Sequence, residues 1–159
     1  MSGCRLWYLS PLALLLILTV PACDPGTTRP AFTPFPEADT AEVSLPVRQA
    51  TRRLAELLQA DSLPVPVVRE RDGFLDTRWF DTTTRHPPLG RGLGQGVVRL
   101  RGWIEPARPR HSKLTVELTY RPLADPSLTE RERERPLPSS HPFVVRLRAL
   151  LARLQERER

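Results

Sequence analysis

Cysteine is scarce in this chain: Cys4 and Cys23 are the only two. Two cysteines cannot build the disulfide framework of a small secreted domain. Lysine is scarcer still. Lys113 is the sole lysine among 24 basic residues, so a net charge of +6 rests on arginine. Histidine occurs three times, at His86, His111 and His141. All three lie in proline-rich or turn-like sequence, and none has Cys, Asp or Glu at metal-ligand spacing. No Gly-x-Ser-x-Gly elbow is present. Gly90, Gly92, Gly94 and Gly96 alternate with other residues, but no Lys-Ser/Thr follows and a strand pattern comes next, which excludes a phosphate loop. Asp76 and Asp81 flank Trp79-Phe80, yet on a strand their spacing puts them on opposite faces. The expectation is a non-catalytic protein with no metal and no cofactor. Long apolar runs are also missing. Leu12 to Val20 (LALLLILTV) is unbroken but far short of the roughly 20 residues that span a bilayer.

What that run does fit is an export signal. Met1 to Ser10 is its leading region, with Arg5 as the only charge, and Val20-Pro21-Ala22-Cys23 follows the apolar stretch. These four residues resemble the bacterial lipobox: an aliphatic residue three before the cysteine, a small residue just before it, then the cysteine. Pro21 departs from the pattern, which has a small or aliphatic residue there. The resemblance implies cleavage between Ala22 and Cys23 and lipidation of Cys23. An ordinary secretory signal with nearby cleavage is the alternative. Removing the signal also removes Cys4, leaving one thiol in an oxidising compartment, and acylation would occupy it. Two or more acyl chains give stable anchoring where one does not. The expected location is the bacterial cell envelope, facing the periplasm, with inner and outer membrane both open.

The layout expected is a signal peptide over 1–22, a lipidated cysteine and Pro/Thr-rich tether over 23–41, and one domain over 42–159. The tether (DPGTTRPAFTPFPEADT) shows neither helical nor strand period, and Phe32 and Phe35 are its only large apolar groups. Ala41 to Val47 reads as a strand. Val47 to Ala60 is an amphipathic helix with Val47, Ala50, Leu54, Leu57 and Leu58 on one face. Val65 to Glu70 and Phe74 to Asp81 read as a hairpin turned at Arg71-Asp72-Gly73. Residues 82–95 form a loop. Val97 to Glu105 and Lys113 to Arg121 are strands, the second with Leu114, Val116, Leu118 and Tyr120 toward a core and Lys113, Thr115, Glu117, Thr119 and Arg121 toward water. Pro122 to Ser140 reads as a polar loop. Pro142 begins a last helix capped by Ser140 or His141. The expected fold is α+β: a four- to five-stranded antiparallel sheet with two helices on one face, in the order β-α-β-β-β-β-α.

A lipobox cysteine, a proline-containing tether and this element order resemble the BamC family, accessory lipoproteins of outer-membrane β-barrel assembly with a helix-grip-like fold. The likeness centres on the first helix, the Arg71-Asp72-Gly73 hairpin and the strand Asp76-Thr77-Arg78-Trp79. This chain has one such domain where that family has two. The resemblance implies a scaffold with an envelope protein partner. Alternation places Phe74, Arg78, Phe80, Arg99, Arg101 and Trp103 on the second sheet face as a candidate partner surface, since Arg and aromatic residues are enriched in interface hot spots. The alternative is a binder of an anionic lipid, glycan or other amphiphile. The arginines are mixed with acids along the chain, as in Glu130 to Arg135 (ERERER). Export makes nucleic acid an unsuitable partner.

Overall fold

The computed structural model describes residues 29–90 and 92–159. The expected signal peptide, the Ala22/Cys23 cleavage site and the lipidated Cys23 lie outside the described residues.

The fold is α+β, built on an antiparallel sheet. Its elements are β1 (Asp39–Val43), α1 (Val47–Ala60), β2 (Val67–Arg69), β3 (Phe74–Asp76), β4 (Phe80–Asp81), β5 (Val97–Pro106), β6 (Ser112–Tyr120), α2 (Glu130–Arg133), β7 (Arg135–Pro136) and α3 (Pro142–Arg157). The main strand order is β1-β6-β5-β3-β2, with β4 added to β5 and β7 to β6. β5 and β6 form the spine, pairing from Val98↔Tyr120 to Pro106↔Ser112.

The helices α1 and α3 cover one face, as their periodicity requires. Ala50, Leu54 and Leu58 of α1 and Leu147, Leu151 and Leu154 of α3 bury against Val98, Leu100, Ile104, Leu114, Val116 and Leu118. Gly102 lets α1 approach the spine: a Cβ there would meet Leu75 Cγ at 3.0 Å and Leu54 Cδ2 at 3.5 Å. α3 begins as expected, with Pro142 at its first turn and His141 accepting a hydrogen bond from the Phe143 N–H. α1 ends at Asp61, followed by Ser62 at φ 62°. The β2–β3 turn needs Gly73, whose φ is +59° and whose missing Cβ would lie 2.1 Å from the Ile104 carbonyl oxygen.

Three expectations are corrected. The strand expected over Phe74 to Asp81 is broken. Asp76 pairs with Arg101 but Phe80 pairs with Val98, so the 77–79 stretch carries one extra residue opposite β5. The extra residue makes a β-bulge, stabilised by the Thr77 hydroxyl, which donates to the Leu100 carbonyl at 3.3 Å and accepts from the Leu100 N–H at 2.9 Å. A one-residue slip reverses the face of everything after it. Phe80 therefore points into the helix-side core, where its ring lies 5.7 Å from that of Phe143. Second, the loop expected over Pro122 to Ser140 contains α2 and β7. A capping box starts α2, Thr129 and Glu132 each bonding the other's backbone N–H. Third, the sheet has two covered faces. Glu117 and Thr119, expected to face water, are buried.

Candidate functional site

The second face of the sheet is where arginine and aromatic residues concentrate, and its chemistry follows from β5 and β6 lying side by side. Arg99, Arg101 and Trp103 project from β5, and Glu117 from β6 stands in register opposite Arg101. Opposite charges placed directly across a ladder attract. Two chain segments then close over them.

The first cover is the segment expected to be a free tether. From Arg29 on it is part of the domain. Arg29 bonds Glu105 at 2.5 Å and the Asp72 carbonyl at 3.5 Å. Phe32 meets Trp103 edge-on with centroids 6.2 Å apart, and Trp103 meets Phe74 likewise at 5.6 Å. The Phe35 N–H donates to the Glu117 carboxylate at 3.0 Å. The domain boundary expected at residue 42 therefore moves back at least to Arg29. The second cover is Thr129 to Arg135. Glu134 enters from it to take Arg101 in a bidentate pair at 2.6 and 2.7 Å. Arg131 bonds Glu117 at 2.7 Å and the Thr33 carbonyl at 2.9 Å, so it ties the two covers together. Its guanidinium also lies over the rings of Phe32 at 4.5 Å and Phe35 at 3.6 Å.

The result is a buried ionic cluster. Arg101 is 3 % exposed, Glu117 2 % and Glu134 0 %. Burial by itself would lower the Arg101 pKa. The hydrogen bonds and charge of Glu134, with help from Asp76 and Glu117, outweigh it and raise the pKa. Arg101 Nε has no hydrogen-bond partner; Asp76 Oδ1 at 3.9 Å is its ion-pair neighbour. Arg99 forks onto Asp76 at 2.9 and 2.5 Å and reaches Glu130 at 2.8 Å. For Glu130, burial works to raise the pKa, but the Arg99 charge and the Trp79 indole N–H lower it.

The predicted partner surface is thus not one exposed patch. Phe74, Arg101 and Trp103 are buried beneath the two covers, Arg99 is partly buried in the cluster, and Phe80 belongs to the opposite core. Arg78 alone of the six is exposed. It lines an open groove with Trp79, Leu63, Pro64, Val65, Pro66 and Pro87, of about 540 Å³. Arg121 stacks over Trp79 at 4.3 Å and holds the groove wall. Sequence reasoning missed this groove because its prolines and Trp79 come from three separate segments.

The other carboxylate and histidine candidates make local structural contacts. The bulge overturns the expectation that Asp76 and Asp81 lie on opposite faces: Asp76 pairs with Arg101 and Asp81 with Val97, which share one face of β5. Asp81 accepts from the Thr83 and Thr84 N–H groups, which lowers its pKa, while Asp76 is held by Arg99. His111 bridges Ser44 and the Pro109 carbonyl. Among the described residues no cluster of His, Cys, Asp or Glu could hold a metal ion. Among them also, no helix is long and apolar enough to cross a membrane. No protein-family model matches the chain, and no curated protein matches its sequence.

Proposed function

We propose that this protein is a bacterial envelope lipoprotein, anchored through Cys23, whose α+β domain is a non-catalytic scaffold that binds an envelope protein. The observation that carries the reading is Val20-Pro21-Ala22-Cys23 after a short apolar run. The fold supports it in a specific way. The carboxylates on the second sheet face are each matched by arginine, and the chain's own covers close over them. The groove at Arg78 and Trp79 offers the composition of a protein-binding surface: a half-buried Trp, an exposed Arg and proline walls.

Mass spectrometry of the mature N-terminus tests the anchor: a diacylglyceryl group on Cys23 is expected, and an unmodified Cys23 overturns it. Affinity purification from detergent-solubilised envelope tests the scaffold. A stoichiometric protein partner is expected, reduced by Arg78→Ser with Trp79→Ser. Recovery of the chain alone refutes the scaffold reading and leaves the anchor standing.

A further inference from the structure

The place where the chain joins the domain has a consequence for how the domain meets its membrane. We propose that the end of the sheet bearing the β2–β3 and β5–β6 turns is a headgroup-contacting face for anionic phospholipid of the anchoring bilayer. This rests on the Cys23 anchor proposed above.

Geometry comes first. Arg29 is docked at that end, on Glu105 and the Asp72 carbonyl. Six residue steps separate it from Cys23. Even fully extended they reach only about 20 Å. β5 runs from this end at Pro106 to the far end at Val97, a length of roughly 30 Å for a strand of that size. A tether shorter than the sheet holds the Arg29 end nearest the bilayer and the Val97 end away from it.

Charge comes second. The two turns adjoin one another, since Val47 lies against Gly73 of one and lines a shared recess with Pro106 to His111 of the other. The acids at this end are already engaged. Glu70 is held by Arg48 and Arg52, Glu105 by Arg29 and Glu42 by Arg108, and Asp72 also has a partner. Arg69, Arg71 and Arg110 are exposed, and their side chains have no hydrogen bond or ion pair among the described residues. Each is a bare guanidinium on or beside a turn, free to take a phosphate oxygen. A basic group close to an anionic membrane surface strengthens association about fivefold. Three together give about a hundredfold, and the effect is screened by salt.

The test uses the acylated full chain with one cysteine introduced. Cys23 is acylated and Cys4 leaves with the signal, so Ala107→Cys provides a single label site. A fluorophore there is read in vesicles carrying a headgroup quencher, with phosphatidylcholine alone or with added phosphatidylglycerol. Gln95→Cys labels the opposite end. The expected result is quenching at position 107 in anionic vesicles only. It falls at high salt and in Arg69→Gln/Arg71→Gln/Arg110→Gln, and position 95 stays bright. Equal quenching at both ends, or quenching indifferent to lipid charge, overturns the proposal while vesicle flotation still supports the anchor. Failure to float with vesicles overturns the anchor and this face with it.

Discussion

Arg101→Met is the sharpest perturbation of the second sheet face. Methionine keeps an unbranched stem out to about the Nε position and carries no charge. It removes the two Glu134 bonds at 2.6 and 2.7 Å and the Glu117 bond at 3.1 Å. Arg131 is then the only arginine left on the two buried carboxylates among the described residues, touching Glu117 at 2.7 Å but Glu134 only at 3.3 Å, while Glu117 keeps the Phe35 N–H. Breaking a buried ion pair from one side costs about 3–5 kcal/mol. The residual help from Arg131 puts this variant near about 3 kcal/mol. In urea, with a slope of roughly 1.5 kcal/mol/M, the midpoint falls by about 2 M. Trp103 fluorescence reports the transition, because its ring is buried under Phe32. The companion is Arg101→Met/Glu134→Leu, which removes both charges. An apolar replacement of a buried pair is often close to neutral, so the double variant should recover at least half of the loss. A single-variant cost below about 1 kcal/mol, or additive costs in the double, would refute the view that these charges are buried and mutually dependent.

Three further outcomes follow from the same structure. Phe32→Ala should cost about 1–2 kcal/mol and open Trp103 to acrylamide quenching, since Phe32 packs edge-on against it; unchanged quenching would mean the segment is not docked in solution. Gly73→Ala should cost about 2–4 kcal/mol, well above the usual penalty for a left-handed alanine, because the new Cβ runs into the Ile104 carbonyl; thermal melting checks it. Glu70 has its pKa lowered to about 2 by hydrogen bonds from Arg52 and then Arg48. A depressed carboxylate stabilises the fold above its ordinary pKa and loses that contribution as pH falls through the folded value. The stability gap between wild type and Glu70→Gln should therefore be full above pH ~4.5 and vanish toward pH ~2, and a gap independent of pH would contradict the pairing.

The helices and the spine were legible because each carries a complete local signal. α1 spans Val47–Ala60 as its apolar period predicts, and α3 begins at Pro142 behind a capping His141. Leu114, Val116 and Leu118 alternate inward as their pattern requires. The bulge at Thr77 was not legible. It arises from a side chain bonding a backbone that is distant in sequence, Leu100, so a local alternation rule carried Phe80 to the wrong face. α2 and β7 were hidden because a four-residue helix and a two-residue strand have no measurable period.

The candidate site divides in the same way. Residue identities alone marked the second sheet face as unusual, since Arg99, Arg101 and Trp103 share one side of a strand whatever lies above them. They also carry the resemblance to an export signal ending at Cys23, which is read as linear sequence. What covers the face was a tertiary decision. Phe32 reaches Trp103 across 71 positions and Glu134 reaches Arg101 across 33. Each contact lowers the free energy only after β5 and β6 have paired and brought Arg101 beside Glu117. Charges that look solvent-directed in a sequence can be buried when their partners arrive from other segments, because burial of an ion is tolerable only once its counter-charges are in place. The sequence by itself determined which side chains the face would carry. The three-dimensional structure decided that the protein would bury most of that face itself, leaving the Arg78 and Trp79 groove and the basic turns exposed to the outside.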